Sequence, residues 1–181
     1  MAHKWEMDAS CPNEYHAVQP KRGREFILRL TTGADIFLGL QAFAADHNIR
    51  FAKIHAAVLG GRQPDRFLVW APDARDPGNW HHEHPRTVQS LSMILSMSGI
   101  IHPRPAKGGG EEPFPAVHFV VGGAWDAPTV GGHLLEGSIV KGVVEVFITE
   151  IVGIDVIFPE AAVAEAHADQ FPENWYKETG D

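Results

Sequence analysis

Val130-Gly131-Gly132-His133-Leu134-Leu135-Glu136-Gly137 is followed directly by a long β-branched run that ends at Ile151. Apolar and polar residues alternate along 139–151, and this alternation predicts a long strand. A shorter strand is expected over 129–135. Glycine lets the backbone turn with positive φ or approach a neighbour closely. The paired glycines therefore predict that His133 is presented at the wall of a recess.

Upstream of this segment, the pattern predicts a strand followed by a single clear helix. Phe26, Leu28 and Leu30 alternate with more polar residues, which indicates a strand that begins near Arg24. From 34 to 47 the apolar residues fall on one helical face. Asp35 lies in the first turn of this predicted helix, where a negative charge is favourable, and Asn48 is the predicted stop.

The rest of the chain consists mainly of strand signals separated by proline- and glycine-rich segments. Residues 72–86 and 103–115 are predicted to be long loops, the second of them mobile. A short helix is predicted over 161–170. One early helix followed by many strands indicates an α+β fold, an antiparallel sheet with a helix packed on it. The remaining predicted strands are 51–59, 66–71, 88–101 (one strand with a bulge near 96–99, or a pair), 116–121 and 152–158.

Composition excludes several classes of protein. With 181 residues, 44% hydrophobic and 21% charged, the chain is long enough for one globular domain with a sizeable core. No apolar run reaches the length of a membrane helix, and the N-terminus lacks a signal-peptide pattern, so we expect a cytoplasmic protein. Its single cysteine, Cys11, leaves any metal site to His, Asp or Glu. The net charge of −8 disfavours nucleic acid as a partner.

Four features together resemble the plants-and-prokaryotes conserved (PPC) domain family, over about residues 22–152. They are the Gly131–Leu134 sequence GGHL with its following strand, the opening strand and glycine turn Leu28–Gly33, the segment Leu95–Ile101, and His118 on the strand before GGHL. His118 corresponds to the second histidine of an H-x-H pair in this family. Ala116 stands at the first position, so one histidine of the family's set is missing.

The resemblance implies an antiparallel sheet flanked by helices and assembled as a homotrimer. It divides the chain into a polar arm (1–20), a PPC-like domain (21–158), and a C-terminal helix with a polar tail (159–181). The family also carries a DNA-binding label, through the AT-hooks of its plant members. Lys21-Arg22-Gly23-Arg24 is similar to the core of a hook, but Glu25 replaces its proline. An acid beside the arginines opposes binding to the minor groove, so a solvated basic start to a strand is favoured.

His118 and His133 are the central candidates for a site. Imidazoles on adjacent strands can bind Zn²⁺ or another divalent metal, with further ligands from Glu136, His55 or a neighbouring subunit. Gly131 and Gly132 would line the same cleft. The alternatives are a cleft for a small ligand and a purely structural pair of hydrogen-bonded histidines.

Three other features are weaker candidates. The histidines within 81–84 match no zinc motif and are expected on a surface loop. If they act, we expect this loop to fold over the cleft or to contact a neighbouring subunit. Ser96 and Ser98 lie outside any nucleophile elbow and are expected to be ordinary strand residues. The sequence therefore predicts a trimeric binding module, with DNA binding as the alternative. An enzyme that uses His133 or His118 as a base beside Glu136 ranks last.

Overall fold

The computed structural model describes residues 18–58, 60–72, 80–82, 84–106, 108–123, 128–157 and 175–179. Within these ranges the chain forms one helix and a set of antiparallel strands. The elements are β1 (Lys21–Thr31), α1 (Ile36–Asp46), β2 (Phe51–Val58), β3 (Gly61–Arg62), β4 (Asp65–Leu68), β5 (Trp70–Pro72), β6 (Trp80–His82), β7 (Arg86–Val88), β8 (Ser92–Pro105), β9 (Glu111–Gly123), β10 (Val130–Leu134), β11 (Val140–Lys141), β12 (Val143–Val152), β13 (Ile154–Ile157) and β14 (Trp175–Glu178).

Ten of these strands form the main sheet. Its order is β1-β12-β2-β8-β9-β10-β4-β7, and β3 joins it by pairing with both β8 and β11. The remaining strands form two separate pairs, β5 with β6 and β13 with β14. An antiparallel sheet with one helix packed on it agrees with the predicted α+β class. The predicted second helix, over 161–170, lies outside the described residues.

The helix covers one face of the sheet. Asp35 is its N-cap, because the side chain accepts a hydrogen bond from the Leu38 amide at 3.1 Å. The sequence had placed this residue inside the first turn. Asn48 adopts a φ of 53° just after the helix, which confirms the predicted stop. The buried side of α1 meets the sheet through contacts such as Phe43 with Phe26, whose ring centroids are 5.1 Å apart.

The sheet has a buried face and an outer face. Val117, Phe119 and Val121 of β9 are buried, together with Val144, Val146 and Ile148 of β12. Side chains at the alternate positions, such as His118 and Val120, are exposed. We call this second side, which carries His118 and Val120, the outer face.

The predicted mobile loop over 103–115 is wrong. Strand β8 continues to Pro105 and β9 begins at Glu111, with Pro103 paired directly to Pro113 and Pro115 to Ile101. All four prolines in this hairpin occupy positions of the same parity, where no N–H is needed across the pair. They also lie largely beyond the stretches where β8 pairs with β2 and β9 with β10. Strand structure therefore survives a composition that indicated a loop.

Smaller differences concern strand boundaries. Residues 80–82, predicted as loop, form β6 and pair with 70–72, while the predicted strand over 66–71 divides into β4 and β5. A register shift between Ile94 and Ser96 confirms the bulge predicted in β8, slightly earlier in the strand. Gly142, with a φ of 94°, divides the long predicted strand into β11 and β12. No helix in the described part of the chain is long and apolar enough to cross a membrane.

Candidate functional site

His118 and His133 lie side by side on the outer face. They are directly opposite each other in the β9–β10 ladder, and their ring centroids are 5.3 Å apart with a 75° angle between the planes. His118 is exposed and His133 is half-buried. Leu134, the next residue, is completely buried and fixes the direction of the His133 side chain away from the core. The two predicted site histidines therefore lie next to each other on one side of the sheet.

The paired glycines bring the backbone of β10 close to its neighbours. A Cβ added to Gly131 would lie 2.2 Å from the carbonyl oxygen of Phe119, and one added to Gly132 would lie 2.3 Å from that of Leu68. Both distances are far below any real contact. Residues with side chains would push β10 away from β9 and β4. The glycines thus set the spacing between the strands that carry the two imidazoles.

His133 also stacks on Phe114. Their ring centroids are 6.0 Å apart with an angle of 19° between the planes. Phe114 and His118 are four residues apart on β9, about 13 Å along a strand, and the His133 ring lies within contact of both. It must therefore lie alongside Ala116, midway between them. The small side chain of Ala116 fills little of the space beside this ring.

Phe114 belongs to a wider cluster of rings. Arg104 lies over its face at 4.5 Å, and His102 and Phe37 contact it at 5.5 Å and 5.7 Å. The Nδ1 atom of His102 is 2.8 Å from the Pro103 carbonyl, and burial lowers the pKa of the ring. His102 is therefore neutral at physiological pH. Phe114 and Phe37 are buried, so the rings beside His133 form a closely packed support.

Of the other predicted site residues, His55 lies on the same face but farther away. The pairing of β2 with β8 ends at Ile54 and Gly99, so His55 and Ser98 lie one residue beyond the last pair, and Ser98 pairs in turn with His118. His55 is thus two strands from His118, about 10 Å. Its Nε2 lies 2.6 Å from the Thr149 hydroxyl.

Glu136 lies in the turn after β10 and is exposed. Its backbone carbonyl accepts a hydrogen bond from Arg66 Nη1 at 3.1 Å. Of the 81–84 cluster, only His84 has a described side chain, and it is exposed. Across the described residues, no three His, Cys, Asp or Glu side chains are grouped closely enough to hold a metal ion. A metal bound by His118 and His133 would therefore need ligands from elsewhere.

The three arginines of β1 are all engaged by carboxylates. Arg22 Nε contacts Glu25 at 2.6 Å, Arg24 binds Glu150 through two hydrogen bonds, and Arg29 pairs with Glu145. The hydrogen bond from Arg24 lowers the pKa of Glu150, so this carboxylate is ionised at neutral pH. The AT-hook-like cluster is neutralised within the fold.

A family model for the Plants and Prokaryotes Conserved (PCC) domain matches residues 17–152. The chain belongs to this family. No curated protein matches the sequence. Among solved structures, a plant- and prokaryote-conserved protein from Pyrococcus horikoshii is similar, with a TM-score of 0.63 and 19% identity over 82% of this chain and 94% of that one.

Two further structures share the fold of this PPC chain. A metal-containing protein from Archaeoglobus fulgidus has a TM-score of 0.61 and 23% identity, covering 82% of this chain and 95% of its own. A "putative DNA-binding protein" from Bacteroides thetaiotaomicron has a TM-score of 0.59 and 18% identity, covering 88% and 97%. At these identities the likeness establishes the fold alone.

Two residues that contact the candidate histidines, Phe114 and Thr149, were not predicted from the sequence. Phe114 was assigned to a loop, although it shares the parity of His118 on one strand. Thr149 is only one of many residues in the predicted long strand 139–151, although it is the residue that contacts His55. The parity of Phe114 was a usable signal. The contact of Thr149 with His55 joins residues 94 positions apart, and the sequence contains no signal for it.

Proposed function

We propose that this chain is a homotrimeric binding module whose recess between His118 and His133 takes a divalent metal ion such as Zn²⁺ or a small ligand. The observation that carries the proposal is the 5.3 Å separation of the two imidazole centroids on the outer face. Neutral imidazoles are the commonest protein ligands of zinc. The packed rings behind His133 support its orientation, as the outer shell of a metal site does.

The recess supplies two imidazoles, and a tetrahedral zinc needs four ligands. Ala116 stands where the family has the first histidine of its H-x-H pair, so that position offers no side-chain ligand for a metal. The remaining positions would be taken by water, by a bound small molecule or by a residue of a neighbouring copy. Such a site binds metal more weakly than a three-histidine site and leaves room for a ligand on the metal. The metal-containing relative from A. fulgidus supports a metal as the first candidate.

The trimer would place this recess at a boundary between copies. Several large apolar side chains are exposed on the outer face, and Val120, 40% exposed, is only two residues from His118. Exposed apolar groups that lie together favour a protein interface. The residues that form this apolar strip are Ile27, Val58, Met93, Leu95, Val120 and Phe147.

DNA binding is the alternative, and it has less support. Two similar solved structures carry a DNA-binding name, the one from B. thetaiotaomicron and one from Ralstonia eutropha. Against it stand the net charge of −8 and the pairing of Arg22, Arg24 and Arg29 with glutamates. A salt titration on duplex DNA separates the two functions, since each phosphate contact contributes a slope of about −0.9 to the dependence of log affinity on log salt. Absence of binding at low salt removes the alternative.

Metal content and calorimetric Zn²⁺ titration test the main proposal. Wild type, His118→Ala and His133→Ala are compared, with His84→Ala as the control because His84 is an exposed histidine outside the recess. We expect each recess variant to lose most of the zinc affinity and the control to retain it. Unchanged zinc uptake in His118→Ala and His133→Ala would contradict the proposal.

A further inference from the structure

His55 is the end of a hydrogen-bonded chain on the outer face. Its Nε2 lies 2.6 Å from Thr149 Oγ1, and that hydroxyl donates to Glu25 Oε1 at 2.7 Å. Arg22 Nε donates to the same carboxylate oxygen at 2.6 Å. Thr149, the middle group of the three, is only 7% exposed. The chain crosses three strands of the sheet: β2, β12 and β1.

The positions of the protons in this hydrogen-bonded series follow from a count of its donors and acceptors. Hydrogen bonds, first from Arg22 and then from Thr149, lower the pKa of Glu25, so its carboxylate is ionised and can only accept. The single hydroxyl proton of Thr149 is therefore donated to Glu25. The hydroxyl oxygen must accept from His55, which places a proton on Nε2. In the neutral ring, Nδ1 then carries the lone pair.

The local backbone presents this ring outward. Ile54 and Ala56 pair with consecutive residues of β12, Ile148 and Phe147, so His55 is the extra residue of a β-bulge. Bulges re-aim side chains and occur often next to binding sites. The His55 side chain is exposed. The Thr149 contact is its one hydrogen bond within the described chain. Nδ1 is thus free to accept a hydrogen bond from a ligand.

His55 lies in one row with the proposed site. Ser98 is its neighbour on β8, followed by His118 on β9 and His133 on β10. Ser98 is exposed and small, so the surface of the sheet between His55 and His118 is polar and carries no bulky side chain at this position. Charged groups near His55 include Lys53, two residues before it on β2, and the Arg22–Glu25 pair at the end of the hydrogen-bonded chain. A molecule about 10 Å long could reach from one imidazole to the other.

We propose that His55 is the second contact of the ligand site, and that its Nδ1 accepts a hydrogen bond from the far end of a small molecule held at His118 and His133. This inference rests on the proposed function and narrows the ligand. The ligand has a metal-binding or polar group at one end and an O–H or N–H donor at the other, lying across Ser98. Compounds with only an acceptor or an alkyl group at the far end bind less well.

Zinc-loaded protein and two matched series of hydroxamates test this. Both series bind the metal through the hydroxamate and increase in chain length; one ends in a hydroxyl and the other in a methyl group. At the length that spans the row, the hydroxyl compound should bind about fivefold tighter, as expected for one added hydrogen bond. Thr149→Ser should keep this preference, because it keeps the hydroxyl. Thr149→Val and His55→Ala should abolish it and leave the affinity for the methyl compound unchanged.

Equal affinities of the two series at every length, or a preference that survives His55→Ala, would overturn the inference alone. Failure of zinc to bind at His118 and His133 would overturn the proposed function and this inference with it. A metal-free measurement tests the same claim. Long-range ¹H–¹⁵N spectra of the histidine rings should show His55 as the Nε2–H tautomer in wild type and in Thr149→Ser. The Nδ1–H tautomer in wild type would overturn the assignment.

Discussion

The Arg62 guanidinium lies over the ring of Phe119 at 4.0 Å, on the buried face of the sheet directly behind the proposed site. Phe119 is next to His118 in sequence and opposite Gly132 in the ladder. Arg62 is completely buried, as is its partner Asp65, and the Nε and Oδ1 atoms are 2.7 Å apart. Burial lowers the pKa of Arg62 to about 10. A charged pair in the core thus supports the strand that carries the histidine.

Breaking the Arg62–Asp65 pair should be strongly destabilising. Arg62→Met leaves the Asp65 carboxylate buried without its cation, and we expect the free energy of unfolding to fall by about 3–5 kcal/mol. Urea unfolding followed by tryptophan fluorescence measures this. Arg29→Met is the control, because the Arg29–Glu145 pair is largely exposed on the arginine side and should contribute less than about 1 kcal/mol. Equal effects of both changes would contradict the role given to the buried pair.

A second prediction concerns the close approach of β10 to β9 and β4 at the paired glycines. Gly132→Ala places a methyl group against the Leu68 carbonyl, so we expect a loss of about 1–3 kcal/mol and weaker zinc binding through displacement of His133. Gly108→Ala is the matched control. No atom lies within 4 Å of a Cβ built there, and the change should leave the unfolding free energy within about 1 kcal/mol. Thermal unfolding with calorimetric zinc titration tests both. A Gly132→Ala protein as stable as wild type would count against the spacing argument.

Ala116→His should strengthen metal binding. Residue 116 shares the parity of His118, and the His133 ring lies beside it, so a third imidazole would enter the recess. We expect the zinc dissociation constant to fall about tenfold or more, since a stable protein site uses at least three ligands. Ile27→His adds an imidazole on the same face but on the edge strand β1, and it should leave the zinc affinity unchanged. A gain of affinity in Ile27→His equal to that in Ala116→His would show that zinc binds outside the recess.

Acid should remove part of the stability held by Arg24 and Glu150. The pKa of Glu150 is lowered in the folded chain, chiefly by the Arg24 hydrogen bonds. Its contribution is therefore present above the usual glutamate pKa and is lost as pH falls through the folded value. Urea unfolding across acid pH should show a weaker loss of stability in Glu150→Gln than in wild type. An identical pH profile for the two proteins would show that the pair does not contribute.

The apolar strip predicts the assembly. Val120→Glu places a charge beside His118 on the surface that we assign to the subunit boundary, and it should convert a trimer to monomers. Leu38→Glu is the control, because Leu38 is 41% exposed but lies on the helix. Light scattering after gel filtration measures the mass of each. A wild-type monomer, or a trimer unaffected by Val120→Glu, would contradict the proposed boundary.

Much of the fold follows from local pattern. Alternation identified β1 and β12, and the apolar face of α1 with its stop at Asn48 identified the helix. Double glycine before His133 correctly indicated a close approach of strands, because few other residues fit there. These features depend on neighbours in sequence, and a single sequence contains that information.

The rest depends on pairing between distant residues. Proline content at 103–115 indicated a loop, because composition does not show that the prolines lie where a paired strand needs no N–H. His55 was placed with His118 and His133, but strand order puts β8 between them and gives His55 its own partner, Thr149. Strand order and register decided these outcomes.

Zn²⁺ titration followed through the ring ¹⁵N signals of the histidines tests the central claim most directly. We predict that the signals of His118 and His133 shift together and saturate at the same zinc concentration, while the signal of the exposed His84 stays in place. Shifts confined to His84 or to histidines outside the described residues, or a shift of His118 without His133, would contradict a shared binding recess.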